Sequence, residues 1–159
     1  MTRADGWRRA VAVAGAVVLL DQVTKALIVA SRSLGQTDSI FFGLELNYVR
    51  NTGVAFGALA GGGAIVWVLT GVAVLGLVSY FAVRAGRLWL WLPVGAVAGG
   101  ALGNLADRAR DGAVIDFIDP IAWPAFNCAD MAIVIGIVGF VWVLEGGREP
   151  EQPAGAEGS

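Results

Sequence analysis

The sequence predicts an all-α membrane protein with four transmembrane helices and a small extracytoplasmic β-sheet platform. Hydrophobic residues make up 57% of the 159 residues and charged residues only 15%, which is typical of integral membrane proteins. Four apolar segments approach the roughly 20 helical residues that a hydrocarbon core of ~30 Å requires. One connection between these segments carries the alternating pattern of a half-buried strand.

The first apolar segment, residues 9–30, is interpreted as a retained helix. Arg8 and Arg9 precede an apolar run over 10–20, so a cleaved signal peptide is the alternative interpretation. The polar stretch DQVTK (21–25) interrupts the apolar run, which then resumes to Ala30. This continuation favours a helix that stays in the mature protein.

The connection over residues 31–57 contains LELNYV (44–49), whose alternation predicts a strand. RNTG (50–53) follows and is interpreted as a turn. A simple tether between helices is the alternative for this region. The clean alternation favours a small sheet lying on the membrane surface, and so do the nearby aromatic residues Phe41, Phe42, Tyr48 and Phe56.

The other three apolar segments are residues 58–83, 88–106 and 128–144. Glycines are frequent in GGGAIVWVLTG (61–71) and AVAGGALGN (96–104), where small residues would let helix backbones approach closely. Residues 1–147 are therefore expected to form one four-span domain. The polar tail 148–159 is rich in Pro and Gly, and we expect it to be a disordered cytoplasmic tail.

The short loop RAGR (84–87) carries two arginines, which predicts that it lies in the cytoplasm. With four spans, both termini are then also cytoplasmic. The connections over residues 31–57 and 108–126 would both lie on the outer side of the membrane.

The composition limits the possible chemistry. The chain has no histidine, which excludes Ser-His and Cys-His catalysis and any His-ligated metal. Cys128 is the only cysteine, so no intrachain disulfide can form. A net charge of -2 argues against nucleic acid as a partner. If the protein is an enzyme, its acid and base must be Asp, Glu, Lys or Tyr, and we expect no cofactor and no metal.

Ionisable residues inside apolar helices are candidates for functional sites. Asp21 and Lys25 are four residues apart on the first helix, so they share a face and can form an ion pair. The favoured interpretation is a structural pair that holds helices together. The alternative makes Lys25 a catalytic base for a serine nucleophile, for which Ser31 and Ser33 are the nearby candidates.

Near the outer end of the third helix, Asn104 and Asp107 are three residues apart and share a face. Asp107 is followed by Arg108, which predicts a structural ion pair between them. In AVIDFID (113–119), an extended chain would turn Asp116 to one side, with Val114, and turn Ile115 and Phe117 to the other. Asp119 precedes Pro120 and is interpreted as a turn residue.

Asn127 and Asp130 stand at the start of the fourth helix, where they can form a capping box. Capping needs only one acid, however, and Asp107, Asp116 and Asp130 are all expected at the same membrane edge. Two carboxyl groups that face each other in a site of low dielectric resist ionising together, so that one keeps its proton. Such a pair supplies a general base for water and a general acid for a carbonyl group.

The sequence resembles the lipoprotein signal peptidases, also called signal peptidase II. The resemblance runs from Asp21 through the fourth helix in five ordered motifs. These motifs are DQVTK (21–25), NYVRNTGVAFG (47–57), GNLADR (103–108), VIDFID (114–119) and FNCAD (126–130).

The resemblance implies a bacterial inner-membrane aspartyl endopeptidase. Such an enzyme removes the signal peptide from a prolipoprotein, on the amino side of a cysteine that carries diacylglycerol. Its partners are then the diacylglyceryl-prolipoproteins and membrane lipid, and we expect it to act as a monomer. By position, Asp116 and Asp130 match the catalytic pair, with Asp107 as a second candidate. Other matched positions bind substrate or support the site: Asp21, Lys25, Asn51, Gly53, Asn104, Arg108 and Asn127.

Two other classes of function remain open. A small transporter or proton-relay subunit would also bury Asp, Lys and Asn, but it would place them near the bilayer midplane, often in repeated halves. A non-catalytic scaffold for other membrane proteins would tolerate replacement of the carboxylates.

Overall fold

The computed structural model describes residues 1–52 and 62–146, with the backbone alone for 62–67. All four predicted helices are present, and so are strands at both predicted places; a further strand, over Thr37–Phe41, was not predicted. Gly53, Phe56 and the tail 148–159 lie outside the described residues. The elements in chain order are α1 (Arg3–Ser31), β1 (Thr37–Phe41), β2 (Leu44–Asn51), α2 (Gly62–Arg84), α3 (Trp91–Asp111), β3 (Val114–Pro120) and α4 (Cys128–Glu145).

Helix α3 packs against both α1 and α4. Its glycines make this close packing possible. A Cβ atom on Gly99 would lie 2.7 Å from the carbonyl oxygen of Ala14 in α1, and one on Gly100 would lie 2.4 Å from that of Ala129 in α4. The predicted close approach of the glycine-rich stretch is therefore confirmed for α3.

Two of the described helices, α1 and α4, are long and apolar enough to cross a membrane. In helix α2, the side chains are described from Val68 onward, and over Val68–Arg84 they form an apolar stretch too short for this comparison. Helix α3 carries polar and charged residues in its last two turns, including Asn104 and Asp107. The four-span count therefore stays a prediction.

A Cβ atom on Gly71 of α2 would meet no atom of the described residues within 4 Å, so the expected close packing is wrong at that residue.

The three strands form one antiparallel sheet in the order β1-β2-β3. The two connections that were expected on one side of the membrane thus meet in a single sheet, and the tether interpretation is wrong. The predicted turn at 50–53 is also wrong for its first half, because Arg50 and Asn51 pair with Ile115 and Val114 of β3.

Asp119 is likewise in a strand instead of the predicted turn, as part of β3. The residue lies opposite Glu45 in the ladder, and its Oδ2 accepts a hydrogen bond of 3.1 Å from Nδ2 of Asn47. Pairing with β2 keeps the chain extended up to Pro120, the last residue of β3, so the local turn preference of Asp-Pro is overridden.

The sheet is joined to α1 by a small apolar core. Ile115 and Phe117 of β3 are buried together with Tyr48 of β2 and Ile28 of α1. Ile115 and Phe117 thus share an apolar environment, as the alternation predicted. Because Ile28 stands near the end of α1, the sheet lies at that end of the helices.

The opposite end holds the N-terminus, the turn between α2 and α3, and the end of α4. A Cβ atom on Gly6 would overlap the carbonyl group of Ala85, and the Arg87 guanidinium donates to the carbonyl oxygen of Val143 at 2.6 Å. The predicted grouping of these three parts at one end is confirmed. Which side of the membrane this end faces stays a prediction.

Candidate active site

The predicted capping box is present at the start of α4. The Oδ1 atom of Asn127 accepts from the backbone N–H of Asp130 at 3.0 Å, and Oδ2 of Asp130 accepts from the backbone N–H of Asn127 at 3.2 Å. Asn127 is completely buried. Because its oxygen must face the helix N-terminus, its amide nitrogen points away from α4 and toward β3.

Asp116 of β3 receives that amide group. Nδ2 of Asn127 donates to Oδ1 of Asp116 at 2.7 Å, and Nδ2 of Asn51 donates to Oδ2 at 2.9 Å. The side chain is only 2% exposed. Burial raises the pKa of Asp116 to about 6, and the negative charge of Asp130 adds to this rise while the two amide donors oppose it.

Asp130 is more accessible than Asp116. It is half-buried, and it lines a groove of about 350 Å³ together with apolar side chains of α4 and of the loop before it. Nδ2 of Asn104 donates to its Oδ1 at 2.8 Å. The apolar residues of this groove are Trp123, Phe126, Met131, Val134 and Ile135.

A second opening, of about 310 Å³, is lined in part by Asp116. It lies between the end of β2 and the loop at Pro124 and Ala125, and Asn51 contributes to its wall. The carboxyl pair is therefore reached from a recess beside the sheet and from an apolar groove beside α4.

A buried charged cluster supports the site from the helix side. The Lys25 ammonium donates to Oδ2 of Asp21 at 2.8 Å, to Oδ2 of Asp107 at 2.7 Å and to Oδ1 of Asn104 at 3.0 Å. Asp21, Lys25 and Asp107 are at most 1% exposed. Oδ1 of Asp21 also accepts from the backbone N–H of Ala129 at 3.0 Å, which ties the start of α4 to α1.

The predicted ion pair between Asp21 and Lys25 is confirmed by these contacts, and the alternative role of Lys25 as a base for a serine is not supported. Its three ammonium protons already have acceptors. The Ser31 hydroxyl donates instead to the carbonyl oxygen of Leu27 at 2.7 Å. Asp21 and Lys25 of α1 are buried in this cluster, and the interpretation of α1 as a retained helix stays a prediction.

The predicted pair of Asp107 with Arg108 is wrong. Asp107 is bound by Lys25 of α1 and by Arg110, whose guanidinium lies 2.8 Å from Oδ1 of Asp107. The reason is helix geometry, because consecutive side chains point in different directions and residues three apart share a face. Arg108 is half-buried elsewhere on the α3 surface.

Gln22 is a member of the cluster that was not expected from the sequence. Its Nε2 donates to Oδ1 of Asp107 at 3.0 Å and to Oδ2 of Asp21 at 3.1 Å, and its Oε1 accepts from Arg110. The available signal was its place inside the polar stretch of an apolar helix. The structure thus brings together Asp21, Lys25, Asn51, Asn104, Asp107, Asp116, Asn127 and Asp130, whereas Gly53 lies outside the described residues.

The result is a pair of carboxyl groups in a frame of amide donors. Asn127 contacts both, Asn51 contacts Asp116, and Asn104 contacts Asp130. Among the described residues, no group of three or more His, Cys, Asp and Glu side chains could hold a metal ion. Acid–base chemistry by two carboxyl groups is what this arrangement can support.

A family model described as Signal peptidase (SPase) II matches residues 13–144, which include every element of this site. The chain belongs to the signal peptidase II family. The resemblance carried by the five motifs is thereby confirmed.

Similar proteins of this family come from diverse bacteria. The lipoprotein signal peptidase of Pelotomaculum thermopropionicum is 43% identical over 133 residues, covering 80% of this chain and 86% of its own length. That of Moorella thermoacetica is 42% identical over 144 residues, covering 84% and 94%. The match extends over almost the full length of these relatives.

Solved structures agree with the family assignment. A bacterial membrane enzyme determined at 1.9 Å resolution superposes with a TM-score of 0.78 at 31% identity, covering 87% of this chain and 94% of its own. A second, at 2.3 Å, has a TM-score of 0.75 at 30% identity and covers 90% and 93%. Membership in the signal peptidase II family therefore makes this chain a membrane peptidase.

Proposed function

We propose that the chain is an aspartyl endopeptidase that removes the signal peptide from diacylglyceryl-modified prolipoproteins. The cut falls on the amino side of the lipidated cysteine, and Asp116 and Asp130 are the catalytic pair. The observation that carries this proposal is the bridge made by Asn127, whose side chain contacts the carboxyl group of Asp116 and the helix turn that holds Asp130.

Two carboxyl groups that share one proton can hydrolyse a peptide without metal or covalent intermediate. The ionised carboxyl takes a proton from water, and the water oxygen bonds to the scissile carbonyl carbon. The protonated carboxyl gives its proton to the carbonyl oxygen. When the tetrahedral intermediate collapses, the leaving nitrogen receives a proton and the C–N bond breaks.

The remaining site residues have positioning or binding roles in this proposal. Asn51 and Asn127 hold Asp116, and Asn104 holds Asp130. Arg108 and Gly53 are proposed to contact substrate. Asp21, Lys25 and Asp107 are proposed to support the fold, because their charges are satisfied among themselves and by Arg110.

Substrate access follows from the two openings. The signal helix and the lipid of the substrate are both apolar, and the groove beside Asp130 is lined with apolar side chains of α4. We propose that the substrate enters laterally from the bilayer and places its scissile bond between the openings. The sheet over the site would then shield the bond from bulk water.

The same proposal fixes the topology. Four helices would cross the bacterial inner membrane, with both termini in the cytoplasm and the site at the outer face. The protein would act as a monomer without a cofactor. The grouping of the N-terminus, the α2–α3 turn and the end of α4 at one end supports this arrangement.

The alternatives from the sequence fit less well. A transporter or proton-relay subunit is expected to place its ionisable groups near the bilayer midplane. Here the carboxyl pair lies where the helices meet the sheet, because Asp116 is a residue of β3 and Asp130 is in the first turn of α4. A scaffold gives no reason for one buried and one half-buried carboxyl group held by three asparagines.

The test is cleavage of a defined precursor. Purified protein in detergent is incubated with a prolipoprotein peptide that carries diacylglycerol on its cysteine. Mass spectrometry then identifies the bond that is cut. Cleavage directly before the lipidated cysteine supports the proposal, whereas no cleavage, or cleavage elsewhere in the signal segment, contradicts it.

A further inference from the structure

The Lys25 ammonium does more than neutralise two acids. An ammonium group has three protons to donate and no acceptor. Two of its bonds go to Asp21 and Asp107, but the third goes to Oδ1 of Asn104, a neutral group. That third bond leads directly toward the carboxyl pair, because the other end of the Asn104 amide contacts Asp130.

The bond from Lys25 fixes which way the Asn104 amide is turned. Because the ammonium only donates, the oxygen of Asn104 must face Lys25, and its Nδ2 must then face Oδ1 of Asp130, at 2.8 Å. Nδ2 of Asn127 also donates to Oδ1 of Asn104, at 3.1 Å, which favours the same orientation. In the opposite orientation the amide oxygen would face a carboxylate oxygen, which is repulsive.

We infer that Lys25 is a positioning residue that orients Asn104 and so keeps Asp130 as the proton acceptor of the carboxyl pair, with Asp116 carrying the proton. This inference rests on the proposed aspartyl mechanism and deepens it, because it assigns the two carboxyl groups different roles.

The surroundings of the two carboxyl groups favour the ionised form at Asp130 and the protonated form at Asp116. Asp130 is the third residue of α4, where the helix dipole favours negative charge, and both of its oxygens accept hydrogen bonds from fixed N–H groups. Asp116 lies on a strand, is almost fully buried and is held by two neutral amides, and burial raises its pKa to about 6. At the sheet end of the helices, the charged groups are Asp21 and Lys25 on α1, Asp107, Arg108, Arg110 and Asp111 on α3, and Asp116 and Asp119 on β3. The other charged groups of α1, which are Arg3, Asp5, Arg8 and Arg9, lie at the opposite end of that helix.

These roles give a balanced reaction. Asp130 takes a proton from water as the water oxygen bonds to the carbonyl carbon, and Asp116 gives its proton to the carbonyl oxygen. On collapse, Asp130 passes its proton to the leaving nitrogen and the C–N bond breaks. Asp116 recovers a proton from the hydroxyl group as the new carboxyl group forms.

The first test removes the buried ion pair as a unit, with Lys25→Met/Asp21→Asn. Asp107 keeps Arg110 as its cation, so no buried carboxylate is left unpaired. We expect kcat to fall by about 100-fold with KM little changed. The acidic limb of the kcat profile should also move to higher pH, because the carboxyl pair loses a hydrogen-bond donor that favours its singly ionised form.

The matched control is Arg110→Gln. Arg110 is the other cation on Asp107, but its contacts are with Asp107 and Gln22 and not with Asn104. We expect kcat and the pH profile to stay as in the wild type. An equal fall in kcat in this variant would show that the charge on Asp107, and not the orientation of Asn104, matters.

A third variant does not depend on removing Lys25. Asn104→Asp keeps an acceptor for Lys25 at the same place, so the fold is expected to survive, but it cannot donate to Asp130 while it is ionised. It should show the same fall in kcat and the same displacement of the acidic limb. Wild-type kcat in folded Asn104→Asp would overturn the inference, whatever the fate of the Lys25 variant.

The aspartyl mechanism and the positioning role of Lys25 can be contradicted by different results. If Asp116→Asn or Asp130→Asn keeps wild-type activity, the aspartyl mechanism itself is wrong. If both are inactive, and kcat and its pH profile are unchanged in Lys25→Met/Asp21→Asn and in Asn104→Asp, the mechanism stands and only the role of Lys25 is wrong.

Discussion

Asn127 donates a hydrogen bond of 2.7 Å to Asp116 while its side-chain oxygen caps α4. A single amide thus sets the position of one carboxyl group and the start of the helix that carries the other. Because its oxygen faces the helix N–H groups, its nitrogen faces away from α4, toward Asp116 of β3 and Asn104 of α3. This dual role leads to predictions that separate stability from catalysis.

Asp116→Asn and Asp130→Asn should each reduce cleavage by about 1,000-fold or more while the protein stays folded in the membrane. The shared-proton mechanism needs both carboxyl groups. Asp107→Asn should lose less activity, or lose it through instability, because Asp107 is bound to Lys25 and Arg110. The measurement is turnover of the lipidated precursor beside thermal unfolding. A folded but inactive Asp107→Asn, together with an active Asp116→Asn, would reverse this ranking.

Substitutions at Asn127 should distinguish capping from catalysis. Asn127→Ser keeps an oxygen that can cap the helix but has no amide to hold Asp116, so its stability should stay near that of the wild type while kcat falls by about 10-fold or more. Asn127→Ala should lose activity and also about 1 kcal/mol of stability. Unfolding in detergent and steady-state kinetics provide the two readouts. Full activity of Asn127→Ser would mean that the contact with Asp116 is not needed.

Asp116 should make stability depend on pH. Its pKa is raised from 3.8 to about 6, so the folded state binds this proton more tightly than the unfolded state does. The tighter proton binding therefore adds to the free energy of unfolding at low pH. This contribution, of up to roughly 3 kcal/mol, is lost as the pH rises from about 4 to 6. Asp116→Asn mimics the protonated form, so its stability should not fall over this pH range. Thermal unfolding at several pH values should show that the stability of the variant rises relative to that of the wild type between about pH 4 and pH 6. A stability difference that does not change with pH would contradict the prediction.

Cys128→Ala should remain active, since an aspartyl mechanism requires no thiol. Cys128 stands one residue after Asn127, and its Sγ lies 3.6 Å from the Thr24 hydroxyl, so it packs beside the site without contacting either carboxyl group in the described hydrogen bonds. Chelators and serine-directed reagents should also have no effect on turnover. Inhibition by EDTA that added metal reverses would instead indicate a metal site built from the aspartates.

Cleavage should require diacylglycerol on the substrate cysteine. Each lipid methylene adds about 0.8 kcal/mol to membrane partitioning, but the signal helix is already in the membrane, so partitioning alone does not discriminate. We expect the lipid to position the cysteine between Asp116 and Asp130, with its chains in the apolar groove beside α4. Lipidated and unlipidated precursors are compared in the same bilayer. Similar kcat/KM values for the two would contradict the positioning role of the lipid and leave the aspartyl mechanism intact.

The sequence was sufficient for features that depend on neighbouring residues. Apolar runs predicted the four helices, alternation predicted β2, and the capping box of Asn127 and Asp130 followed from their spacing. The pair of Asp21 and Lys25 was also predictable, since residues four apart on a helix face each other. The five ordered motifs identified the family, because together they extend over most of the chain.

Contacts between elements could not be derived from the sequence in the same way. The pairing of β2 with β3 decided that Arg50, Asn51 and Asp119 are strand residues, against their local turn preference. The cation for Asp107 is Lys25 from α1, a choice that depends on how closely α3 approaches α1. Gly99 and Gly103 permit that approach, and a Cβ atom at Gly103 would lie 2.6 Å from Oδ2 of Asp21.

In the site, too, some features follow from the sequence and others only from contacts between elements. The sequence by itself limited the types of residue available for catalysis: with no histidine in the chain, an acid and a base would have to be Asp, Glu, Lys or Tyr. Only the tertiary structure decided which aspartates receive which donors, because Asp116 and Asp130 lie on different elements that meet through Asn127. Hydrogen-bond partners are set by distances of a few tenths of an ångström between packed elements, and such distances are not encoded by local spacing.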